Sequence, residues 1–290
     1  MRRACIDIGS NTTRLLVAEC DQEHLREVHQ ARAFTHLRRG LAGDGTIGPK
    51  KIAKVADVVA DQVAVARELG AIEIHAVATA AIRQAPNGPE IRDAIRRRCA
   101  VELEVLSEQE EARLAFVGAA RTLGHIPEGP LGVVDVGGGS SELVVGTAPD
   151  RVSWSTSFAV GSGLLADRGR WSDPPSTEQL QQARSQVAEA LIGISVPHPR
   201  EAVAVGGSAA SLSRLAGPVL DSTAFSRSLE LLSARRGAEV ATRFALDRER
   251  VRLLPAALLI LQAASELFGA ALQIGRGGLR EGVLLEASSG

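Results

Sequence analysis

Two stretches of this chain carry one pattern of apolar and polar positions. Ile6-Asp7-Ile8-Gly9-Ser10-Asn11-Thr12-Thr13-Arg14-Leu15-Leu16-Val17 aligns without a gap on Val134-Asp135-Val136-Gly137-Gly138-Gly139-Ser140-Ser141-Glu142-Leu143-Val144-Val145. Each reads as a buried strand ending at an aspartate, a turn of glycine and hydroxyl residues, then a second apolar strand. A polar stretch runs from His36 to Pro49. Beyond it, Ile52, Val55, Val59, Val63 and Ala66 share one face of a helix that Gly70 stops. Ile72–Ala78 reads as a strand, Pro89 opens a short helix, and Val101–Val105 alternates as a strand. Ser107 and Glu110 have the spacing of a capping box, so a helix starts there and runs to about Thr122. The turn-rich residues Gly124–Pro130 mark the expected boundary between units 1–123 and 124–290. After it, Val152–Phe158 and Ala202–Val205 read as strands, Ser176 caps a long helix, Gly206-Gly207-Ser208 opens another, and the chain from Thr223 is mainly helical. Strands followed by helices in both halves predict an α/β protein of two similar lobes with a cleft between them.

Composition narrows the partners. The chain has 290 residues, of which 45% are hydrophobic, enough for two cores. A formal net charge of −1 gives no overall electrostatic case for nucleic acid, so any anion site must be a local patch. Cys5, Cys20 and Cys99 lack the spacing of a disulfide framework or zinc site. The apolar run Leu253–Leu272 is interrupted by Pro255, Gln262 and Glu266 and reads as a buried helix, not a membrane span. The apolar stretch after Arg3 is broken at Asp7, which argues against a signal peptide. The expectation is a cytoplasmic protein.

The candidate chemistry sits in the turns. Gly9, Ser10, Asn11 and Thr12, and likewise Gly137, Gly138, Gly139 and Ser140, form turns whose N–H groups and hydroxyls can converge on an anion. Asp7, Asp135 and Glu142 are candidate ligands for a hard cation such as Mg²⁺, with an Asx-type turn role as the plainer reading of the two aspartates. Glu142 occupies the place of Arg14, so one copy suits metal and the other phosphate. Glu111 shares a helix face with Leu114, Ala115 and Gly118. Two readings stand for it: an enclosed general base, or a carboxylate that complements the helix N-terminus. Arg83 follows a strand, where a loop residue can reach a cleft. Gly207 and Ser208 offer a third anion site at a helix start, or a packing turn.

Together these motifs resemble the exopolyphosphatase / guanosine pentaphosphate phosphohydrolase (Ppx/GppA) family of the sugar kinase–Hsp70–actin superfamily. The resemblance also takes in Thr79–Asn87, Ser107–Leu114, Ser157–Gly161, Val205–Ser208 and Leu279-Arg280-Glu281-Gly282. It implies two actin-like, ribonuclease H-like lobes, the last helix packing back on the first. It implies Glu111 as the catalytic base, Asp135 and Glu142 as Mg²⁺-associated carboxylates, and phosphate contacts from Gly9–Thr12, Gly137–Ser140 and Arg83. Ala80 and Ser208 depart from it, standing where a hydroxyl residue is frequent and where threonine is common. The resemblance leads to the expectation that the additional C-terminal helical domains of longer members are absent. The implied activity is release of terminal phosphate from inorganic polyphosphate, with guanosine pentaphosphate as the alternative substrate and a homodimer compatible. An ATP-dependent kinase of the superfamily leaves Glu111 unexplained, and a non-catalytic sensor has no need of it.

Overall fold

The computed structural model of the protein describes residues 1–21, 24–39 and 44–288, so residues 40–43 of the polar stretch lie outside the description. The predicted hairpin is β1 (Arg2–Ile8) and β2 (Thr12–Cys20), antiparallel. β3 (Leu25–Phe34) adds to the free edge of β2. The sequence pattern does not predict this strand, because its residues lack an apolar alternation; in the fold it is partly exposed. α1 (Pro49–Glu68) buries the predicted stripe from Ile52 to Ala66. β4 (Glu73–Ala78) lies parallel to β1, and α2 (Ala80–Arg83) and α3 (Gly88–Cys99) lead to β5 (Leu103–Val105), parallel to β4. The sheet order is β3-β2-β1-β4-β5.

α4 (Glu108–Arg121) follows, and the second half then repeats the plan. β6 (Leu131–Val136), β7 (Ser141–Thr147) and β8 (Arg151–Phe158) form an antiparallel meander. α5 (Ser162–Gly169) and α6 (Thr177–Ala190) lead to β9 (Glu201–Val205), parallel to β6. Next come α7 (Gly206–Ala216), β10 (Val219–Leu220), α8 (Ser222–Ala234), α9 (Gly237–Arg243), α10 (Arg248–Val251) and α11 (Leu254–Phe268). β11 (Leu272–Ile274) joins β9 in parallel, and α12 (Leu279–Ala287) closes the fold. The order β10-β11-β9-β6-β7-β8 reproduces the first sheet, with β10 as an addition. The repeat visible in the sequence as one hairpin is therefore a repeat of the whole sheet.

Two helices tie the sheets together. Ser107 caps α4 by accepting from the Glu110 N–H at 3.1 Å, but the reciprocal half of the expected box is missing, because the Glu110 carboxylate is held by Arg113. α4 packs Ala112, Phe116 and Ala119 on the second sheet, against Val133, Val144 and Val203. α12 packs Leu279, Val283 and Leu284 on the first sheet, against Cys5 and Leu16. Where the two helices cross, a Cβ on Gly118 would lie 1.9 Å from the Gly278 carbonyl oxygen, and one on Gly282 would lie 2.0 Å from that of Leu114. Glycine alone permits this backbone-to-backbone contact. α11 is buried along most of its length, and among the described residues no helix is long and apolar enough to cross a membrane.

Candidate active site

The β1–β2 turn, the β6–β7 turn and the β9–α7 junction face one another across the two sheets. Every residue singled out in the sequence as a site candidate, except Arg83, lines one cleft of about 160 Å³. The hairpin registers set Asp7 beside Arg14 and Asp135 beside Glu142. The two turns touch, since a Cβ at Gly138 would meet the Asn11 Cβ at 3.1 Å. Gly138 and Gly139 donate no backbone hydrogen bond among the described residues, so their N–H groups are free to take an anion. Gly206 has φ +83°, and a Cβ there would lie 2.3 Å from Asp135 Oδ1. This glycine lets α7 start directly against the aspartate.

Glu111 comes to the cleft from the first turn of α4. Arg83, at the end of α2, donates to its Oε2 at 2.8 Å and to the Leu106 carbonyl at 2.9 Å. That geometry turns the Arg83 guanidinium onto Glu111, and Arg83 is not part of the cleft lining. Burial, opposed by the Arg83 hydrogen bond, pushes the Glu111 carboxyl up to about 7. Both readings drawn from spacing meet at this side chain, which is largely enclosed and also stands in the acidic first turn of α4.

The other charges in the cleft have also lost water. Burial pushes Asp135 up to about 6 against the pull of Arg14. It holds Glu142 well above the carboxylate range, with Glu111 and Asp135 adding to the push, although Ser157 donates to Glu142 Oε1 at 3.0 Å. Asp7 is raised by burial and restrained by Arg14 and Arg280, and its Oδ1 is buried without a hydrogen-bond partner. On the cationic side, burial and then Arg280 bring Arg14 down to about 10. Burial, then Arg14 and Arg32, bring Arg250 down to about 9.

Carboxylates that raise one another, beside an orphaned carboxylate oxygen, fit a cation. Among the described residues no three Asp, Glu, His or Cys side chains converge to hold one unaided. Mg²⁺ takes one or two carboxylates and completes its shell with water and substrate oxygens.

The chain has relatives among known proteins. Residues 16–289 match the Ppx/GppA phosphatase family. The chain belongs to that family. Exopolyphosphatase 1 of Mycobacterium tuberculosis is 27% identical to this family member over 303 residues, covering 98% of this chain and 88% of that protein. An uncharacterized protein of Streptomyces coelicolor is 34% identical over 227 residues, covering 75% of this chain and 66% of its own length, just under two thirds. Among solved structures, a Ppx/GppA family member from Aquifex aeolicus superposes with a TM-score of 0.82 at 28% identity, covering 99% of this chain and 97% of that one. An exopolyphosphatase from Cytophaga hutchinsonii gives 0.89 at 21% identity, covering 100% and 98%, a likeness of fold. The family's architecture is the two-lobed, actin-like fold described above.

Two residues of this Ppx/GppA member were not assigned a role from sequence. Arg280 lines the cleft and donates to the Leu15 carbonyl at 3.1 Å. It lies in the Leu279–Gly282 motif, which could have flagged it. Arg250 also lines the cleft, only 6% exposed, its Nε buried without a partner. A Cβ on Gly207 would lie 2.9 Å from Arg250 Nη2 and 3.4 Å from Arg14 Nη1, so the two guanidinium groups flank the same glycine. No local signal marks Arg250, because Asp247-Arg248-Glu249-Arg250 is a run of alternating acidic and basic residues in a stretch read only as mainly helical.

Proposed function

We propose that this protein is an exopolyphosphatase that removes the terminal phosphate from short linear polyphosphate by attack of a water held by Glu111. The observation that carries the reading is Glu111 itself, a largely enclosed carboxylate pushed up to about 7, lining the same cleft as the two glycine-rich turns. The name exopolyphosphatase on a relative that spans nearly the whole chain supports it. Glu111 accepts a proton from the water as it attacks the terminal phosphorus. The free N–H groups of Gly138 and Gly139, with Arg14 and Arg250, stabilise the charge on the phosphoryl oxygens and the leaving chain. Asp135 and Glu142, with Asp7 beside them, would hold Mg²⁺, which when bound neutralises phosphate charge. Positioning and electrostatics supply most of the acceleration in such chemistry, so a site with no reactive nucleophile suffices.

The size of the cleft favours phosphate over a nucleoside. At about 160 Å³ it is smaller than the roughly 300 Å³ at which pockets for drug-sized ligands begin. Among the described residues no Phe or Trp lines it to stack a guanine. The test is phosphate release from short polyphosphate, long polyphosphate, guanosine pentaphosphate and ATP, measured side by side with Mg²⁺. Glu111→Gln keeps the size of the side chain and removes its basicity, and should lower turnover by roughly 10²-fold or more while binding survives. Full activity in Glu111→Gln would place the base elsewhere.

A further inference from the structure

α10 is a single turn whose charged residues face two ways. Arg250 points into the cleft, buried beside Arg14 at Gly207. Its sequence neighbours point to the other lobe. Asp247 is ion-paired with Arg32 of β3. Glu249 lies 3.4 Å from Arg39 and 3.8 Å from His36, both just beyond β3. Arg39 also reaches Asp167 of α5 at 3.5 Å, and Asp167 is held by Arg252 at 2.8 Å. His36 in turn contacts the Asn11 side chain at 3.2 Å, within the β1–β2 turn. In these lobe-to-lobe pairs the first lobe supplies the cations and the second the carboxylates. They can form only when the lobes are together.

We propose that Asp247 and Glu249 are positioning residues, whose clasp on Arg32 and Arg39 seats α10 against the first lobe and delivers Arg250 to the substrate phosphates beside Arg14. The proposal rests on the reading of the cleft as a polyphosphate site. A four-residue helix has little stiffness of its own, so its contacts decide where Arg250 stands. Arg250 faces repulsion from Arg14 and Arg32, and Asp247 offsets it. Without the carboxylate that holds Arg32 and counters this field, bringing Arg250 up to Arg14 costs more, and closure is less favourable. Each exposed ion pair contributes little alone, but the Glu249–Arg39 pair is linked through Asp167 and Arg252 into one network, and Asp247–Arg32 adds a second, separate point of attachment.

The test is the double variant Asp247→Asn/Glu249→Gln with inorganic tripolyphosphate as substrate. The expected result is a KM raised by about threefold to fivefold, the range that one or two such pairs account for, with kcat within about twofold of wild type. Asp57→Asn, which removes an exposed pair with Arg98 far along the chain, serves as control and should leave KM unchanged. The charge exchange Arg32→Asp/Asp247→Arg should restore KM relative to Asp247→Arg alone. Without ligand, X-ray scattering should give a larger radius of gyration for the double variant than for wild type. An unchanged KM, no rescue by the exchange, or equal radii would each overturn the clasp. If wild-type protein releases no phosphate from tripolyphosphate, the polyphosphatase reading fails, and the clasp is then decided by the scattering comparison.

Discussion

Arg83 acts on the cleft at one remove. Its guanidinium donates to Glu111 and so opposes the effect of burial on that carboxyl. A general base must be ionised to accept a proton, so kcat/KM for polyphosphate should rise with pH through about 7 and then level. Arg83→Met removes both the hydrogen bond and the positive charge that favour the ionised form, so the acidic limb should move to higher pH. A limb that stays in place or moves down would show that Arg83 does not set the base. This role was hidden in the sequence. A loop arginine after a strand is legible as a phosphate contact, but whether its side chain reaches the phosphate or the carboxylate depends on how α2 and α4 meet. Arg250 makes the same point: its burial comes from the docking of α10, and nothing in its neighbours announces it.

Among the elements, the crossing of α4 and α12 bears the most on the cleft, because α4 carries Glu111 and the first turn of α12 carries Arg280 and Glu281. Gly118→Ala puts a methyl group where the Gly278 carbonyl oxygen already stands, so the helices must separate. The expected loss is about 1–3 kcal/mol, the usual cost of overpacking, read as a lower denaturation midpoint with an unchanged slope. A variant as stable as wild type would mean that the helices are not held in contact there. Amphipathic helices and apolar strands were legible from their periods. β3 was not, because a polar edge strand is defined by hydrogen bonds to its neighbour β2 more than by its own side chains. The capping box of α4 was half right, since Arg113 takes the Glu110 carboxylate that the motif reserves for the cap.

For the molecule as a whole, the supply of positive charge should limit the substrate. The net charge is −1, and the cations lining the cleft are Arg14, Arg250, Arg276 and Arg280. That patch can balance a few phosphates, whereas a long polyanion needs an extended basic channel. Short chains should therefore have the higher specificity constant. A clear preference for chains of hundreds of phosphates would contradict this.

Local sequence determined that two glycine- and hydroxyl-rich hairpins carry matched aspartates, because strand period and turn chemistry are properties of consecutive residues. It also determined that Glu111 lies on a helix face otherwise apolar or small. Tertiary structure decided that the hairpins meet, that the whole sheet repeats with them, and that α4 and α12 exchange places between the sheets. It alone decided which charges lose their water, and so raised Asp135 and Glu111 toward neutrality and left Arg250 buried without a partner for its Nε. Desolvation depends on everything packed around a group, and residues distant in the chain supply most of that packing.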